Sequence, residues 1–225
     1  MKKVILYIIS MAFILASCIT DNAIQLEAAG YLKINPIVID TEVEVSPLTR
    51  AVDDRLQIDI YSASTIIKSF QPGDPGLDEL IKLPVGDNYR LVAHTPDMKE
   101  AENNALGYPI YSVSHDFVIE KEQTTTISSL VAKQSNIGIS VSLNDEVFDT
   151  AFQTIECTIF SSSGRSVVIN AKLHSQEKAY FNVSEGTAIG YKIKFINNDD
   201  EAFESDVKQL PLDDKIKDYI ITVSF

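Results

Sequence analysis

Hydrophobic and polar residues alternate with a period of two along most of the chain. The alternation is cleanest at residues 137–143, Ile-Gly-Ile-Ser-Val-Ser-Leu, and it is also clear at residues 56–60 and 155–159. Short runs of this kind, rich in Ile, Val, Thr and Tyr and separated by Gly, Pro, Asn and Asp, are typical of strands with one buried face. The pattern therefore predicts an all-β fold of antiparallel strands. Helix is expected only as short turns at residues 98–106 and 144–151.

The order of the predicted elements repeats after about 100 residues. Each half begins with a predicted strand and hairpin and ends in a strand rich in Thr, Ile and Val, at residues 124–131 and 219–225. Because order and spacing both match, we predict two tandem antiparallel β-sandwich domains of the immunoglobulin-like or transthyretin-like kind, at residues 31–134 and 135–225. The alternative is a general resemblance between β-rich segments.

The N-terminus has the pattern of an export signal. Lys2 and Lys3 precede an almost wholly apolar run at residues 4–15, which is too short for a permanent membrane span. The run ends in Leu-Ala-Ser before Cys18, and this resembles the bacterial lipobox. We predict a signal peptide at residues 1–17, acylation of Cys18 with chains such as palmitate, and a tether at residues 18–30. An ordinary signal peptide with a chance cysteine is the alternative.

Acylation would place the mature protein on a membrane without crossing it, because several acyl chains on one residue suffice for stable anchoring. We expect an outer-membrane lipoprotein of the cell envelope, with the membrane as a partner through Cys18. Whether the lipid holds the chain at the periplasmic or the outer surface is left open by the sequence.

The chain is strongly acidic, with 32 Asp and Glu against 19 Lys and Arg and a formal net charge of −13. Loss of Lys2 and Lys3 with the signal peptide would make the mature protein more negative still. Such a surface repels nucleic acid, so no nucleic-acid partner is expected. The charges are scattered along the chain, which indicates a solvated, repulsive coat more than a surface that recruits cations or basic partners.

No set of residues has the spacing of an active site. If Cys18 is lipidated, Cys157 has no disulfide partner, and the alternation around it predicts a buried, structural thiol. His94 is expected to face solvent, and His115 and His174 show no metal-ligand spacing. No Gly-x-Ser-x-Gly motif is present, and the absence of Trp disfavours a glycan-binding cleft. We therefore expect no cofactor and no enzymatic activity.

An acidic turn near the C-terminus is a weak candidate for a metal site. Asp199, Asp200 and Glu201 follow two asparagines, and their oxygens could bind Ca²⁺. The run lacks the alternation and the glycine of an EF-hand loop. A solvated turn is therefore the favoured interpretation.

Four features of the chain resemble a known group of proteins. They are the lipobox with its tether, the Gly-Tyr-Leu-Lys-Ile run at 30–34 with Thr-Arg-Ala at 49–51, the Leu-Pro-x-Gly-x-x-Tyr run at 83–89, and Tyr-Pro-Ile-Tyr at 108–111 leading to Ser-Asn-Ile-Gly-Ile at 135–139. Together they resemble Bacteroidota lipoproteins of a domain-of-unknown-function family, which is itself similar to fimbrillins, the pilus subunits of those bacteria. The resemblance covers essentially the whole mature chain.

Fimbrillins imply a mechanism of assembly. Their precursors are lipoproteins of two β-sandwich domains, an Arg-specific protease cuts after an N-terminal strand, and a strand from the next subunit fills the groove that this opens. Arg50 matches such a cut site, although an ordinary loop arginine is the favoured interpretation. The candidate donor is the C-terminal strand, with its apolar residues Ile221, Val223 and Phe225. That segment could instead be only the last strand of its own domain.

These observations favour a non-catalytic, fimbrillin-like subunit or anchor with a structural or adhesive role in a fimbrium. Its expected partners are other fimbrial subunits or outer-membrane proteins. The alternative is a lipid-tethered module that binds a ligand or an outer-membrane partner, for which a face bearing Tyr61 and Tyr111 is the first candidate surface. An unrecognised hydrolase is the third possibility.

Overall fold

Strands make up almost all of the regular structure in the computed structural model, which describes residues 28–39, 56–144, 147–173 and 177–223. These residues also contain one short α-helix, Val147–Ala151 (α1), and a single 3₁₀ turn, Pro75–Leu77. The predicted all-β fold is confirmed. The helix lies within the region where a short turn was expected, whereas residues 98–106 form no helix.

The first half of the chain forms two sheets. Its strands are β1 (Ala29–Ile34), β2 (Val38–Ile39), β3 (Gln57–Ser62), β4 (Thr65–Phe70), β5 (Ile81–Pro84), β6 (Gly86–His94), β7 (Tyr111–Ile119), β8 (Thr124–Ile127) and β9 (Val131–Gln134). A six-stranded sheet has the order β2-β9-β7-β6-β3-β4, and a three-stranded sheet has the order β5-β1-β8.

The second half repeats this arrangement. Its strands are β10 (Ile137–Leu143), β11 (Phe152–Ser161), β12 (Ser166–Asn170), β13 (Ala179–Phe181), β14 (Ile189–Asn197), β15 (Ala202–Glu204), β16 (Lys208–Leu210) and β17 (Asp218–Val223). One sheet has the order β12-β11-β14-β15 with β16 also paired to β14, and a three-stranded sheet has the order β13-β10-β17.

The two halves share register as well as strand order. Ile58 of β3 pairs with Ala93 of β6, and Cys157 of β11 pairs with Ile193 of β14, one repeat further along the chain. In each three-stranded sheet the central strand has an antiparallel neighbour on one side and a parallel neighbour on the other. The repeat seen in the sequence is therefore a repeat of topology.

Three pairings add parallel strands to the expected antiparallel sheets: β1 with β8, β10 with β17, and β2 with β9. The strand predicted over residues 124–131 is also divided into β8 and β9, which belong to different sheets. Ser129, between them, has a positive φ of 62°. This left-handed residue turns the chain from the small sheet to the large one, which a period-two pattern does not reveal.

Each pair of sheets encloses its own hydrophobic core. One cluster of buried residues spans Leu32 to Ala132 and the other spans Ile137 to Val223. The interval between the two clusters contains the predicted boundary at residues 134 and 135. The boundaries of the domains remain a prediction, and β1 begins two residues before the predicted start of the first domain.

The connection between β6 and β7, residues 95–110, crosses from the first half to the second, and we call it the strap. The backbone N–H of Asn104 donates to the backbone carbonyl of Ser166 at 2.9 Å, and the backbone N–H of Tyr180 donates to the backbone carbonyl of Leu106 at 2.8 Å. The strap thus lies along the end of the edge strand β12 and beside β13.

A buried arginine fastens the strap. Arg165, which is only 5% exposed, donates from Nε to the carbonyl of Ala101 at 2.7 Å and from Nη2 to the carbonyl of Ala105. Its guanidinium lies 4.3 Å from the centre of the Phe181 ring. Burial lowers the pKa of Arg165, and the nearby charge of Glu100 opposes this. The planar guanidinium can bind carbonyls at its edge while it stacks on the ring.

Candidate functional site: the central strand of the first three-stranded sheet

β1 is bonded on both sides, although it is the first strand of the chain that the structure describes. Leu32, at its middle, pairs with Ile81 of β5 and with Thr125 of β8 and is fully buried. Burial alternates along the strand, as expected for one face on the core. Removing β1 would expose facing edges on β5 and β8 and uncover part of the first core.

Hydrogen bonds continue beyond the two ends of the ladder. The amide of Val85 donates to the carbonyl of Ala28 at 2.8 Å, and the amide of Asn35 donates to the carbonyl of Ile127 at 2.9 Å. The amide of Tyr31 donates to the carbonyl of Gln123 at 2.8 Å. The segment is therefore held by backbone bonds, which depend little on side-chain identity and which another extended strand could replace.

β17, the predicted donor strand, lies at the edge of the second three-stranded sheet. Its only partner among the described strands is β10. Ile221 and Val223 are buried in the second core, while Ile220, directly before Ile221, is 65% exposed. Within the described residues, β17 is therefore a well-packed last strand whose outer edge is not paired with another strand, and these contacts fit both the donor and the non-donor interpretation.

Three of the predicted site residues lie outside the described residues. They are Cys18, Arg50 and Phe225. Arg50 falls between β2 and β3 in the sequence, so a cut after it would separate β1 and β2 from the rest of the chain. Lipidation, processing and strand donation remain predictions.

The acidic turn at residues 199–201 is organised by an amide. Asn197 Oδ1 accepts the backbone N–H groups of Asp199 at 3.0 Å and Glu201 at 2.8 Å, and Asn197 Nδ2 donates to Glu201 Oε2 at 2.9 Å. Gln153 Nε2 donates to Asp200 Oδ1 at 3.3 Å. In the described part of the chain, no three His, Cys, Asp or Glu side chains are grouped so that they could hold a metal ion. The arrangement gives the calcium candidate no support.

Cys157 is buried in the second core, as predicted, and is a free thiol. Burial raises its pKa to about 12. A thiol in that state is a poor nucleophile, because the thiolate is the reactive form. Cys157 therefore acts as a small hydrophobic core residue.

His94 does not face solvent as the sequence suggested. It lies on the outer face of the large sheet, but its side chain is only 14% exposed, because Nε2 lies 3.0 Å from Oδ2 of Asp59 and Nδ1 lies 2.8 Å from the carbonyl oxygen of Thr95. Both ring nitrogens therefore lie within hydrogen-bonding distance of oxygen atoms. The alternation along the strand correctly predicts that His94 lies on the outer face of the sheet. It does not show that Asp59 lies beside His94 on that face.

Asp59 is the centre of this polar cluster, with a side chain only 5% exposed. Ser69 Oγ donates to Asp59 Oδ1 at 2.6 Å, and Gln57 Nε2 donates to the same oxygen at 3.0 Å. Burial alone would raise the pKa of Asp59. The hydrogen bonds from Ser69 and Gln57, together with the hydrogen bond and the charge of His94, outweigh burial and hold the pKa of Asp59 below its ordinary value. The hydroxyl of Ser69 binds the carboxylate and not the imidazole, so the cluster has no activated nucleophile.

Tyr61 and Tyr111 do not form a common face, and that expectation was wrong. Tyr61 pairs with Arg90, whose guanidinium points outward to Asp116 at 2.7 Å. Tyr111 and Asp116 both lie on β7, five residues apart, so their side chains are on opposite faces of the sheet. Tyr111 therefore packs against the first core, on the face opposite to Tyr61. The strap and its anchor Arg165 were missed, because no local pattern indicates that a loop of one half binds the other.

The family model described as "Domain of unknown function (DUF4493)" matches residues 28–223. The chain belongs to this family. The match begins one residue before β1 and ends at the last residue of β17, so it covers both halves of the fold.

The solved structures that are similar to the chain include an adhesin and a fimbrilin. A putative adhesin from Bacteroides ovatus is 12% identical, with 90% of this chain and 94% of that chain covered and a TM-score of 0.45. A fimbrilin from Porphyromonas gingivalis is 14% identical, with 77% of this chain and 73% of that chain covered and a TM-score of 0.39. No curated protein sequence matches the chain. Within the described residues, no helix has the length and apolar character that a membrane span requires.

Proposed function

We propose that this family member is a non-catalytic, lipid-anchored envelope protein that acts as a fimbrillin-like structural or adhesive subunit or anchor. In this proposal the chain is an acceptor in strand exchange: a cut after Arg50 releases β1, and a strand of another subunit takes its place. The family membership leaves function open, so the proposal depends on the geometry of the first sandwich.

The observation that carries the proposal is the central position of β1. An N-terminal strand at a sheet edge would leave only one open edge when it is removed. Removal of β1 instead leaves two open strand edges, on β5 and β8, together with the buried site of the Leu32 side chain. A strand that fills this site gains hydrogen bonds on both sides and buries apolar side chains, which is the energetic basis of strand addition.

The second half supports the donor role in the same proposal. β17 is the last strand described, and among the described strands it is paired with β10 alone; it also makes the ion pair of Asp218 with Lys178 and the bonds of the Tyr219 hydroxyl to the backbone of Asp213. Its inward residues Ile221 and Val223 alternate with the exposed Ile220 and Thr222, as a donor strand requires, and the apolar Phe225 follows two residues later in the sequence. The cost is the loss of these side chains from the second core, so β17 would leave only for a groove that buries them again.

The lipid anchor is supported by the sequence alone. Cys18 follows a lipobox-like Leu-Ala-Ser, and ten residues separate it from Ala29, the first residue of β1. This spacing would let the first sandwich stand just beyond the headgroups of the outer membrane. Processing after Arg50 would detach the chain from its lipid, whereas an unprocessed chain would remain an anchor.

The experiment is digestion of the soluble mature chain, residues 20–225, with an Arg-specific protease, followed by mass spectrometry and amide hydrogen exchange. We expect a cut after Arg50 and, once the fragment is removed, faster exchange confined to β5, β8 and the core around them. The Arg50→Lys variant is the matched control, because it keeps the charge but removes the site at Arg50; a cut at Arg55, which also lies between β2 and β3 in the sequence, is distinguished by mass. Resistance at Arg50, or global unfolding after loss of β1, would contradict an acceptor role.

One observation favours the alternative of a binding module. An apolar recess of about 220 Å³ opens at the end of the first sandwich, between the 34–37 segment, the start of β3 and the 73–78 turn. Ile37, Leu56 and Ile58 supply core side chains to its wall. Saturable binding of a small apolar probe to the intact chain, lost in Leu56→Asp but retained in Arg50→Lys, would support that function.

A further inference from the structure

The inward position at the start of β1 is occupied by Gly30, and no larger residue fits there. A Cβ at this position would overlap the carbonyl oxygen of Glu120 and would lie 2.8 Å from Cγ2 of Ile119. Both atoms belong to the chain segment that leaves β7 and turns toward β8. The groove that β1 fills is therefore closed to side chains at this one point.

Several contacts that do not involve β1 fix this obstruction. Ile119 is 1% exposed in the first core and pairs with Gly86 of β6. Thr125 Oγ1 donates to the carbonyl of Val118 at 2.7 Å, which ties the end of β7 to β8. These two contacts hold the obstruction within the acceptor, while the turn that follows it also bonds to β1, through the backbone N–H of Glu122 and the carbonyl of Ala29 at 2.9 Å.

The second sandwich shows that the topology itself does not require glycine. Leu32 of β1 corresponds to Ile139 of β10, since each is paired on one side with the equivalent short strand, at Ile81 and Ala179. The residue two positions earlier is Gly30 in the first sandwich and Ile137, buried at 2% exposure, in the second. The restriction is specific to the groove of the first sandwich.

The C-terminal strand of this chain does not satisfy the restriction. To keep its buried face inward, an odd-numbered residue of β17 must occupy the position of Gly30. The three registers that bury at least two of its apolar side chains place Lys217, Tyr219 or Ile221 there. Each of them carries a Cβ, so each would displace the 119–120 segment.

On the basis of the proposed function, we infer that the position of Gly30 selects the strand that enters the groove. The accepted strand carries glycine two residues before its first buried apolar residue, in the pattern glycine, any residue, apolar, any residue, apolar. Since β17 lacks this pattern, identical copies do not donate their C-terminal strands to one another. The donor is a strand of a different protein, and this chain takes part in a mixed assembly.

The test uses the complete mature chain with a site for a specific protease inserted after residue 50. The cut chain is freed of its N-terminal fragment and offered four fluorescent peptides, whose binding is followed by anisotropy. Two peptides are residues 28–39 as they stand and with Gly30→Ala. The other two are residues 216–225 as they stand and with Tyr219→Gly. The oligomeric state of the cut chain alone is measured by light scattering.

We expect the natural 28–39 peptide and the Tyr219→Gly peptide to bind, and the other two to bind at least about ten-fold more weakly, because overpacking at a fixed backbone is costly. The cut chain alone stays monomeric. Equal binding of all four peptides, or self-assembly of the cut chain, overturns the selectivity while leaving strand exchange intact. Binding of none overturns both the selectivity and the acceptor role.

Discussion

At the scale of single residues, the outer face of the first large sheet shows how a charge can be buried on a strand. Asp59 alternates with Ile58 and Ile60, which face the core, so the sequence places it outward. Three neighbouring side chains then cover its carboxylate with hydrogen bonds from Ser69, Gln57 and His94. Such a group stabilises the fold only while it is ionised and every bond is made.

We predict that Asp59→Asn destabilises the protein by roughly 1–3 kcal/mol at neutral pH, because three donors lose a charged acceptor. The folded-state pKa of Asp59 is lowered, so its stabilising effect is present above about pH 4 and is lost as the pH falls through the folded pKa. The difference in unfolding free energy between the two proteins should therefore shrink on acidification below pH 4. Urea unfolding at several pH values measures this.

The matched control for that experiment is Asp116→Asn. Asp116 also pairs with a cation, Arg90, but its side chain is 75% exposed. Exposed pairs contribute little, so we expect a change within about 0.5 kcal/mol and no special dependence on pH. Equal effects of the two substitutions would mean that the buried cluster has no particular role in stability.

At the scale of elements, the edges of the sheets differ in how they are protected. β4 has a register shift opposite Ile60 and Tyr61, and its inward Lys68 leans over the ring of Phe70. An irregular edge with an inward lysine resists further pairing. The end of β12 is covered by the strap through Asn104. β17 has neither device along its outer edge, which distinguishes it from these two strands.

The strap gives a prediction about how the two halves are held together. Replacing Arg165 with Leu removes the donors to the carbonyls of Ala101 and Ala105 and should destabilise the protein by about 2–4 kcal/mol. Because the loss is local, amide exchange should accelerate most in the strap and at Tyr180. Hydrogen exchange with mass spectrometry reads both regions in one experiment.

Arg90→Leu is the control for the strap. Arg90 is likewise an arginine with a side-chain hydrogen bond, in its case to the carboxylate of Asp116. Its side chain is 56% exposed, and both residues lie within the first half. We expect little change in stability and none in the exchange of the strap. If Arg165→Leu left the strap as protected as before, its backbone bonds to Ser166 and Tyr180 would be sufficient to hold it.

The sequence predicts strands better than it predicts their partners. The alternation at residues 137–143 gives β10 with its correct bounds, because each residue reports its own burial. It does not distinguish a parallel from an antiparallel neighbour, and it does not show where the chain changes sheets at Ser129. The central position of β1 could not be predicted from the alternation either, because it depends on pairing with β8, which lies about 90 residues further along the chain.

At the scale of the whole molecule, the repeat in the sequence is matched by two sheets and one core in each half. The spacing of strands along the sequence is enough to predict this repeat, since equivalent strands recur at a nearly constant separation of residues. What spacing does not convey is the asymmetry between the halves: Gly30 stands where the second half has Ile137, and the strap crosses in one direction only. The first asymmetry carries the inference about the donor strand. Neither asymmetry can be predicted from spacing, because each depends on contacts between segments that are distant in the sequence.

The lipid anchor leads to a prediction for the complete chain. If the thiol of Cys18 is the acylation site, Cys18→Ser abolishes incorporation of a labelled fatty acid and moves the protein from the detergent phase to the aqueous phase in detergent partition. Cys157→Ser is the matched control, because Cys157 is the other cysteine and its thiol is buried in the second core. This variant should stay lipidated. Label retained in Cys18→Ser would show that the chain is held at the membrane in another way, and it would remove the anchor from the proposed function while leaving the groove of β1 unaffected.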